Sequence, residues 1–147
     1  MLDHNWKRSS LNYRYRSRSR QWYGNIRWRA ELSGSKRLLI TITHYHPDHS
    51  LGVGSFPDDA IFIASRAQSL EMENGKRLKI QISRQSAINN QLINNMPYPT
   101  PDLLYDDNYA LDLGDLTVQL TSIGPLHTQG DSIIFIEEES VLFAGDV

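Results

Sequence analysis

The stretch LLITITHYHPDH, residues 38–49, decides how this sequence folds and which chemistry it supports. Its first half, residues 38–43, is apolar and rich in β-branched side chains, a pattern that predicts a short buried β-strand. Pro47 stops strand pairing because proline has no backbone N–H to donate. The strand is therefore predicted to end in a cluster of histidine and aspartate side chains.

The spacing within this cluster favours metal binding. His44 and His46 lie two residues apart, so in an extended segment their side chains point the same way and can converge on one ion. Asp48 and His49 follow the turn at Pro47 and can face a second position nearby. The chain contains no cysteine, so any metal site must use imidazole and carboxylate ligands. Both are suitable ligands for zinc.

A second strand and a helix are predicted directly downstream. Residues 60–64 form the strand, and Ser65 caps the helix with Gln68 as its reciprocal capping-box partner. The helix is expected over residues 66–74, followed by a break and a resumption toward Ile93. Three prolines then predict a stiff, extended loop: Pro97, Pro99 and Pro101.

Two β-hairpins are predicted in the remaining sequence. The first pairs residues 109–112 with residues 116–123, and the second pairs residues 133–136 with residues 141–144. In the first hairpin three alternate side chains share an apolar face: Leu116, Val118 and Leu120. Strands, a helix and strands again indicate a layered α/β protein built on mixed or antiparallel sheets.

Three motifs that occur in order give residues 38–147 a family resemblance. HYHPDH at residues 44–49, directly after an apolar strand, resembles the hallmark of the metallo-β-lactamase superfamily. GPLHTQGD at residues 124–131 resembles the family's second motif, and FAGD at residues 143–146 resembles its third. The resemblance implies an α/β fold, the αββα sandwich, with metals in a groove at the edge between two sheets.

The resemblance also implies a ligand set for two metal ions. It assigns His44, His46 and His127 to the first ion, Asp48 and His49 to the second, and Asp146 to both. Zinc is the expected metal, with one or two ions, and the same ligands also accept iron or manganese. The implied nucleophile is a hydroxide between the metals. Asp48 is the implied catalytic residue, which orients that hydroxide or shuttles its proton.

Two positions indicate which branch of the family the sequence resembles. His46, where the oxygen-reducing diiron branch has glutamate, favours hydrolysis. Asp146, where zinc β-lactamases often carry cysteine or serine, resembles the glyoxalase II-like hydrolases of thioesters, lactones and related esters. We therefore expect a zinc-dependent hydrolase that acts on a small-molecule substrate. Thr128 and Asp131 are expected to hold the loop of a ligand histidine.

The sequence departs from the family pattern at both ends. The family has an earlier strand ending in Asp-Thr-Gly, and residues 1–37 show nothing like it. The family also supplies a last histidine to the second metal, but no histidine follows His127. We therefore expect a C-terminally truncated, incomplete sandwich with weakened activity. The alternative is a non-catalytic metal-binding fragment of such a hydrolase.

Residues 1–37 differ in composition from the partial domain at residues 38–147. The first segment has a net charge of +8 and the second of −10. One interpretation, the least favoured of the three, is a basic, aromatic-rich arm that binds nucleic acid. The others are a poorly ordered tail and a sequence that is not native, such as a shifted reading frame.

No apolar run approaches the roughly 20 residues that span a membrane. No secretory signal is visible either, since no apolar stretch follows the basic residues near the N-terminus. These observations predict a cytoplasmic protein without a membrane partner. Nothing in the sequence indicates an oligomeric state.

Overall fold

The computed structural model describes residue 34, residues 36–75 and residues 98–147. These residues form, in chain order, β1 (Leu39–Thr41), α1 (Pro47–Ser50), a 3-10 turn (Leu51–Ser55), β2 (Ile61–Ser65), α2 (Arg66–Asn74), β3 (Leu103–Tyr105), β4 (Asn108–Asp112), β5 (Thr117–Ser122), β6 (Ser132–Ile136) and β7 (Val141–Phe143). The predicted helix toward Ile93 and nearly all of the basic segment at residues 1–37 lie outside the described residues.

The strands form two sheets of different kinds. Strands β1, β2 and β3 make a three-stranded parallel sheet, and β4 to β7 make a four-stranded antiparallel sheet in chain order. The described strands thus include both parallel and antiparallel pairs, divided between the two sheets. Strand β3 was not predicted, because three residues next to a proline-rich stretch give too short a pattern to recognise.

Alternate side chains of the parallel sheet enter two separate cores. Leu39 and Ile63 face the antiparallel sheet and pack with Val118, Leu120 and related residues. On the opposite face, a second cluster packs beneath the helical layer: Ile40, Ile42, Phe62, Ala64 and Met72. Burial on both faces explains why β1 and β2 appear as continuous apolar runs rather than as alternating ones.

The antiparallel sheet contains both predicted hairpins. Strand β4 pairs with β5, and β6 pairs with β7, with β5 and β6 adjacent in the middle of the sheet. Val118 and Leu120 are fully buried, whereas Thr117 and Gln119, which alternate with them, are only half-buried. The alternation predicted for this strand is therefore confirmed, and the two packed sheets form the expected incomplete sandwich.

The segment after β1 differs from the prediction. The strand expected over residues 38–43 is shorter, Leu39–Thr41. The turn expected at Pro47 is the short helix α1, with Pro47 in its first turn, where proline's missing N–H costs nothing. The hydroxyl of Ser50 donates to the carbonyls of Tyr45 and His46 at 2.7 and 3.0 Å. This turn places Asp48 and His49 close behind the first two histidines.

Candidate metal centre

Two loops carry three of the four histidines that were predicted as metal ligands. One follows β1 and brings in His44 and His46, and the other joins β5 to β6 and brings in His127. The backbone N–H of Ser132 donates to the carbonyl of Thr43 at 2.8 Å, which ties the start of one loop to the end of the other. The two loops, which are far apart in sequence, therefore meet at the junction of the two sheets.

His44, His46 and His127 form a compact group, here called the first group. The Nδ1 atom of His46 lies 3.1 Å from Nε2 of His44 and 3.1 Å from Nε2 of His127, which is 81 residues away in sequence. The three nitrogen atoms all lie within 4.8 Å of one another. Tetrahedral zinc with bonds of about 2.0–2.1 Å requires nitrogen atoms about 3.3 Å apart. The geometry and chemistry of this donor set fit zinc.

His49, Asp48 and Asp146 form a wider group, here called the second group. The Nε2 atom of His49 lies 3.5 Å from Oδ2 of Asp48 and 3.6 Å from Oδ1 of Asp146. The other oxygen of Asp146 lies 4.0 Å from Nε2 of His44 and 3.9 Å from Nε2 of His127. Asp146 therefore stands between the two groups, the position that a bridging ligand requires.

Asp48 is the least enclosed of the six predicted site residues. His44, His49 and Asp146 offer ligand atoms within 4.8 Å of one another, and Asp48 does not belong to that set. Its side chain is 61% exposed, compared with 18% for that of His49. Asp48 therefore lies at the solvent-facing rim of the second group.

Burial keeps the imidazoles of His44 and His46 neutral. Burial lowers the pKa of His44 to about 4, helped by the nearby imidazoles of His49 and His46, while Asp146 opposes the shift. Burial and the neighbouring His127 also lower the pKa of His46. A neutral imidazole has a free lone pair, which is the form that binds a metal. Both side chains are thus in the binding form at neutral pH.

The outer nitrogen of His44 contacts Thr43. Its Nδ1 lies 3.2 Å from the hydroxyl oxygen of Thr43, so a proton on Nδ1 would leave Nε2 free to face the site. Gly145 packs against the same threonine: a Cβ on Gly145 would stand 2.7 Å from the Thr43 Cβ and Oγ1 atoms. Gly145 also has a φ of 72°, which glycine adopts readily. This close approach allows the chain to present Asp146 beside His44.

Asp131 fixes the loop of His127. Its carboxylate accepts hydrogen bonds from the backbone N–H groups of Leu126 (3.0 Å) and Thr128 (2.8 Å) and from the Thr128 hydroxyl (2.7 Å). Burial alone would raise the pKa of Asp131, but these hydrogen bonds outweigh it and the pKa is lowered. Thr128 and Asp131 therefore hold together the loop that carries His127, as predicted.

Two further side chains reach the histidine loops from helix α2. Gln68 was predicted only as a capping partner, and the capping box with Ser65 is confirmed. Its amide also contacts the chain just before His44, and Glu71 contacts the chain just after His127. A helical spacing of three residues puts Gln68 and Glu71 on one face of α2, but nothing in the sequence indicates which loops that face meets.

Comparison with protein families identifies the class of this chain. The model of the metallo-beta-lactamase superfamily matches residues 20–147. The chain belongs to the metallo-beta-lactamase superfamily. The match begins at residue 20, inside the basic segment, and extends through all three motifs.

Relatives and solved structures agree with this assignment. The chain is 26% identical over 127 residues to the acyl-coenzyme A thioesterase MBLAC2 of Gallus gallus, a match that covers 78% of this chain and 43% of the thioesterase. The solved structure of metallo-beta-lactamase IND-7 has a TM-score of 0.66 at 11% identity, covering 95% of this chain and 55% of that one. The metallo-beta-lactamase from Pontibacter korlensis has a TM-score of 0.65 at 13% identity, with the same coverage.

These structural similarities establish the fold alone, because the sequence identities are low. The chain spans 43% of the thioesterase and about half of the two solved structures. Among the described residues, no helix has both the length and the apolar character needed to cross a membrane. The cytoplasmic location remains a prediction from the sequence.

Proposed function

We propose that this chain is a zinc-dependent hydrolase of ester-like bonds, with thioesters as its principal substrate class. The first group supports this proposal most strongly. His127 and His46 are 81 residues apart in sequence, yet their ring nitrogens lie 3.1 Å apart. This separation is close to the spacing of about 3.3 Å that tetrahedral zinc requires between two nitrogen ligands.

The six predicted site residues have separate roles in this proposal. His44, His46 and His127 would hold one ion, while Asp146 stands between it and His49. A divalent ion bound there would polarise the carbonyl oxygen of a small-molecule substrate and lower the pKa of a water molecule. Asp48, exposed at the rim and 3.5 Å from His49, would orient that water and take up its proton.

Two observations favour thioesters. The curated relative at 26% identity is an acyl-coenzyme A thioesterase. Asp146, rather than a thiol or hydroxyl, stands between the two groups, as in the glyoxalase II-like hydrolases that the sequence resembles. Zinc is proposed over iron or manganese because a site of imidazole ligands generally binds zinc more tightly than divalent iron or manganese.

Release of coenzyme A can be followed directly with a thiol-reactive dye, because the chain has no cysteine of its own. Zinc-loaded protein is expected to hydrolyse an acyl-coenzyme A, and a chelator is expected to abolish the signal. The His46→Ala variant should be inactive. The Asp48→Asn variant should bind zinc but turn over about 100-fold more slowly. Hydrolysis that persists in both variants would contradict the proposal.

Metal binding without turnover is the second candidate function. It is favoured by the exposure of the second group, in which the side chains of Asp48 and Asp146 are 61% and 46% exposed. Exposed carboxylates are hydrated and hold an ion weakly. One experiment distinguishes the two functions. Metal binding without turnover predicts zinc bound by the first group and no coenzyme A release at any zinc concentration.

A further inference from the structure

Helix α2 is anchored to the strand that leads into His44. The Gln68 side chain is fully buried, and its Nε2 atom donates to the carbonyls of Ile42 and Thr43, each at 3.0 Å. Its Oε1 atom accepts from the backbone N–H of Ser65 at 2.8 Å, so the amide group is held at both ends. The first turn of α2 therefore has a fixed position relative to His44.

One turn further along, α2 holds the loop that carries His127. The two carboxylate oxygens of Glu71 accept from two successive backbone N–H groups, Gln129 at 3.1 Å and Gly130 at 2.8 Å. Hydrogen bonds to an ionised acceptor are shorter and stronger than neutral ones. Glu71 thus fixes the chain two and three residues after His127, without contacting the imidazole itself.

The loop rests directly on the helix backbone at this point. A Cβ on Gly130 would stand 2.6 Å from the backbone nitrogen of Gln68, closer than side chains tolerate. The adjoining Ser132 hydroxyl accepts from Gln68 Nε2 at 3.2 Å and from the hydroxyl of Tyr105 at 3.0 Å. Helix, strand and loop are therefore packed as one unit behind the first group.

We propose that Glu71 is a positioning residue that sets the distance between His127 and the pair His44 and His46, using α2 as the rigid spacer that Gln68 anchors. The inference rests on the proposed metal site. A binding constellation must be held within about 0.5 Å to work, and support of this kind typically contributes 10–100-fold in metal affinity. The role proposed for Glu71 does not depend on the proposed hydrolytic activity.

The test is the zinc affinity of Glu71→Ala, measured by competition with a chromogenic chelator. We expect a loss of about 10–100-fold. Glu73→Ala is the matched control, because Glu73 is an exposed carboxylate two residues away on the same helix. Glu71→Gln, which keeps one acceptor oxygen, should recover part of the loss. Equal affinities for Glu71→Ala and Glu73→Ala would overturn the proposal.

Combination with His127→Ala distinguishes positioning from general stability. If Glu71 acts through His127, then Glu71→Ala should have almost no further effect on zinc affinity once that imidazole is absent. A loss of the same factor in both backgrounds would overturn the proposal. Should Glu71→Ala fail to fold, Glu71→Gln gives the same comparison.

The visible spectrum of the cobalt-substituted protein supplies an independent readout. Glu71→Ala should change the absorption bands that report the coordination of the ion, whereas Glu73→Ala should leave them unchanged. Identical spectra for wild type and Glu71→Ala would contradict a positioning role. Zinc bound by wild type without thioester hydrolysis would contradict the proposed function and leave this inference standing.

Discussion

The first and second groups differ in how firmly the fold holds them. Ring nitrogens of the first group approach to 3.1 Å, whereas the contacts of His49 with its two carboxylates are 3.5 and 3.6 Å. The first group is supported by β1, by helix α2 and by the hydrogen bonds that Asp131 accepts in the loop of His127. The second group is supported by the four-residue α1 and by the turn at Gly145. Ligands backed by more packed structure are brought closer together before any ion binds.

This difference predicts two unequal metal sites. A preorganised ligand set loses little freedom on binding, while exposed carboxylates must be desolvated and ordered. We therefore expect a first zinc ion to bind tightly at the first group. A second ion should bind more weakly, and its affinity should depend on His49 and Asp146 together with His44, whose ligand atom lies near theirs.

The largest expected effect comes from removing the central imidazole of the first group. His46→Ala should weaken the first zinc by about 100- to 1,000-fold, because structural zinc is worth about 10–16 kcal/mol shared among four ligands. Chelator competition measures the change. His4→Ala, which removes the one histidine outside the site residues, is the control and should leave zinc affinity unaltered. A smaller loss of affinity for the first zinc ion in His46→Ala than in His49→Ala would contradict tighter binding at the first group.

The pH dependence of the metal-free protein should reflect the buried part of the first group. The pKa of His44 falls from 6.5 to about 4 on folding, so the folded state resists the proton that the unfolded state accepts. The stabilisation is complete above the unfolded pKa and is lost as pH falls from about 6.5 to about 4, by roughly 3 kcal/mol in all.

Urea unfolding in the presence of a chelator measures this dependence. The His44→Asn variant should show a shallower loss of unfolding free energy over the same pH range. His46, whose pKa is also lowered, accounts for part of the slope that remains. A variant profile as steep as that of wild type would show that the burial of His44 has no influence on stability.

A substitution at the support of the second group should have an intermediate effect. Gly145→Ala forces an alanine into a φ of 72° and places its Cβ against Thr43, so we expect a loss of about 1–3 kcal/mol. Thermal unfolding gives the value. Gly54→Ala is the control, because a Cβ there meets nothing within 4 Å. Equal stabilities for the two variants would contradict the close approach of Gly145 and Thr43.

The smallest effect on the first ion is expected from His49→Ala. This imidazole is outside the first group, but its ring centroid lies 4.1 Å from that of His44, so zinc affinity at the first group should fall by no more than about tenfold, as for side chains in contact. Binding of the second ion should be lost. Titration calorimetry resolves the two events. A large loss at the first group would show that the two groups act as one site.

The sequence was sufficient to predict the parts of this site that are determined locally. An apolar run before HYHPDH specifies a strand that ends in ligands, and the pairing of Ser65 with Gln68 specifies where α2 begins. The two hairpins follow from turn residues between alternating strands. The αββα class came from the family resemblance of three motifs in order.

Features that arise from contacts between distant segments were not predictable in the same way. Strand β3 exists because Leu103 and its neighbours pair with β2, not because three residues prefer a strand. The hydrogen bonds from Gln129 and Gly130 to Glu71 likewise appear only when the loop meets the helix. Tertiary packing decides both, and sequence spacing offers no measure of it.

Anomalous diffraction at the zinc edge, on crystals of the zinc-loaded protein, locates each bound ion relative to the two groups. We predict one strong peak about 2.0–2.1 Å from ring nitrogens of His44, His46 and His127. A weaker second peak should lie between Asp146 and His49. A single peak bound elsewhere, with His127 turned away from the other two histidines, would contradict the account.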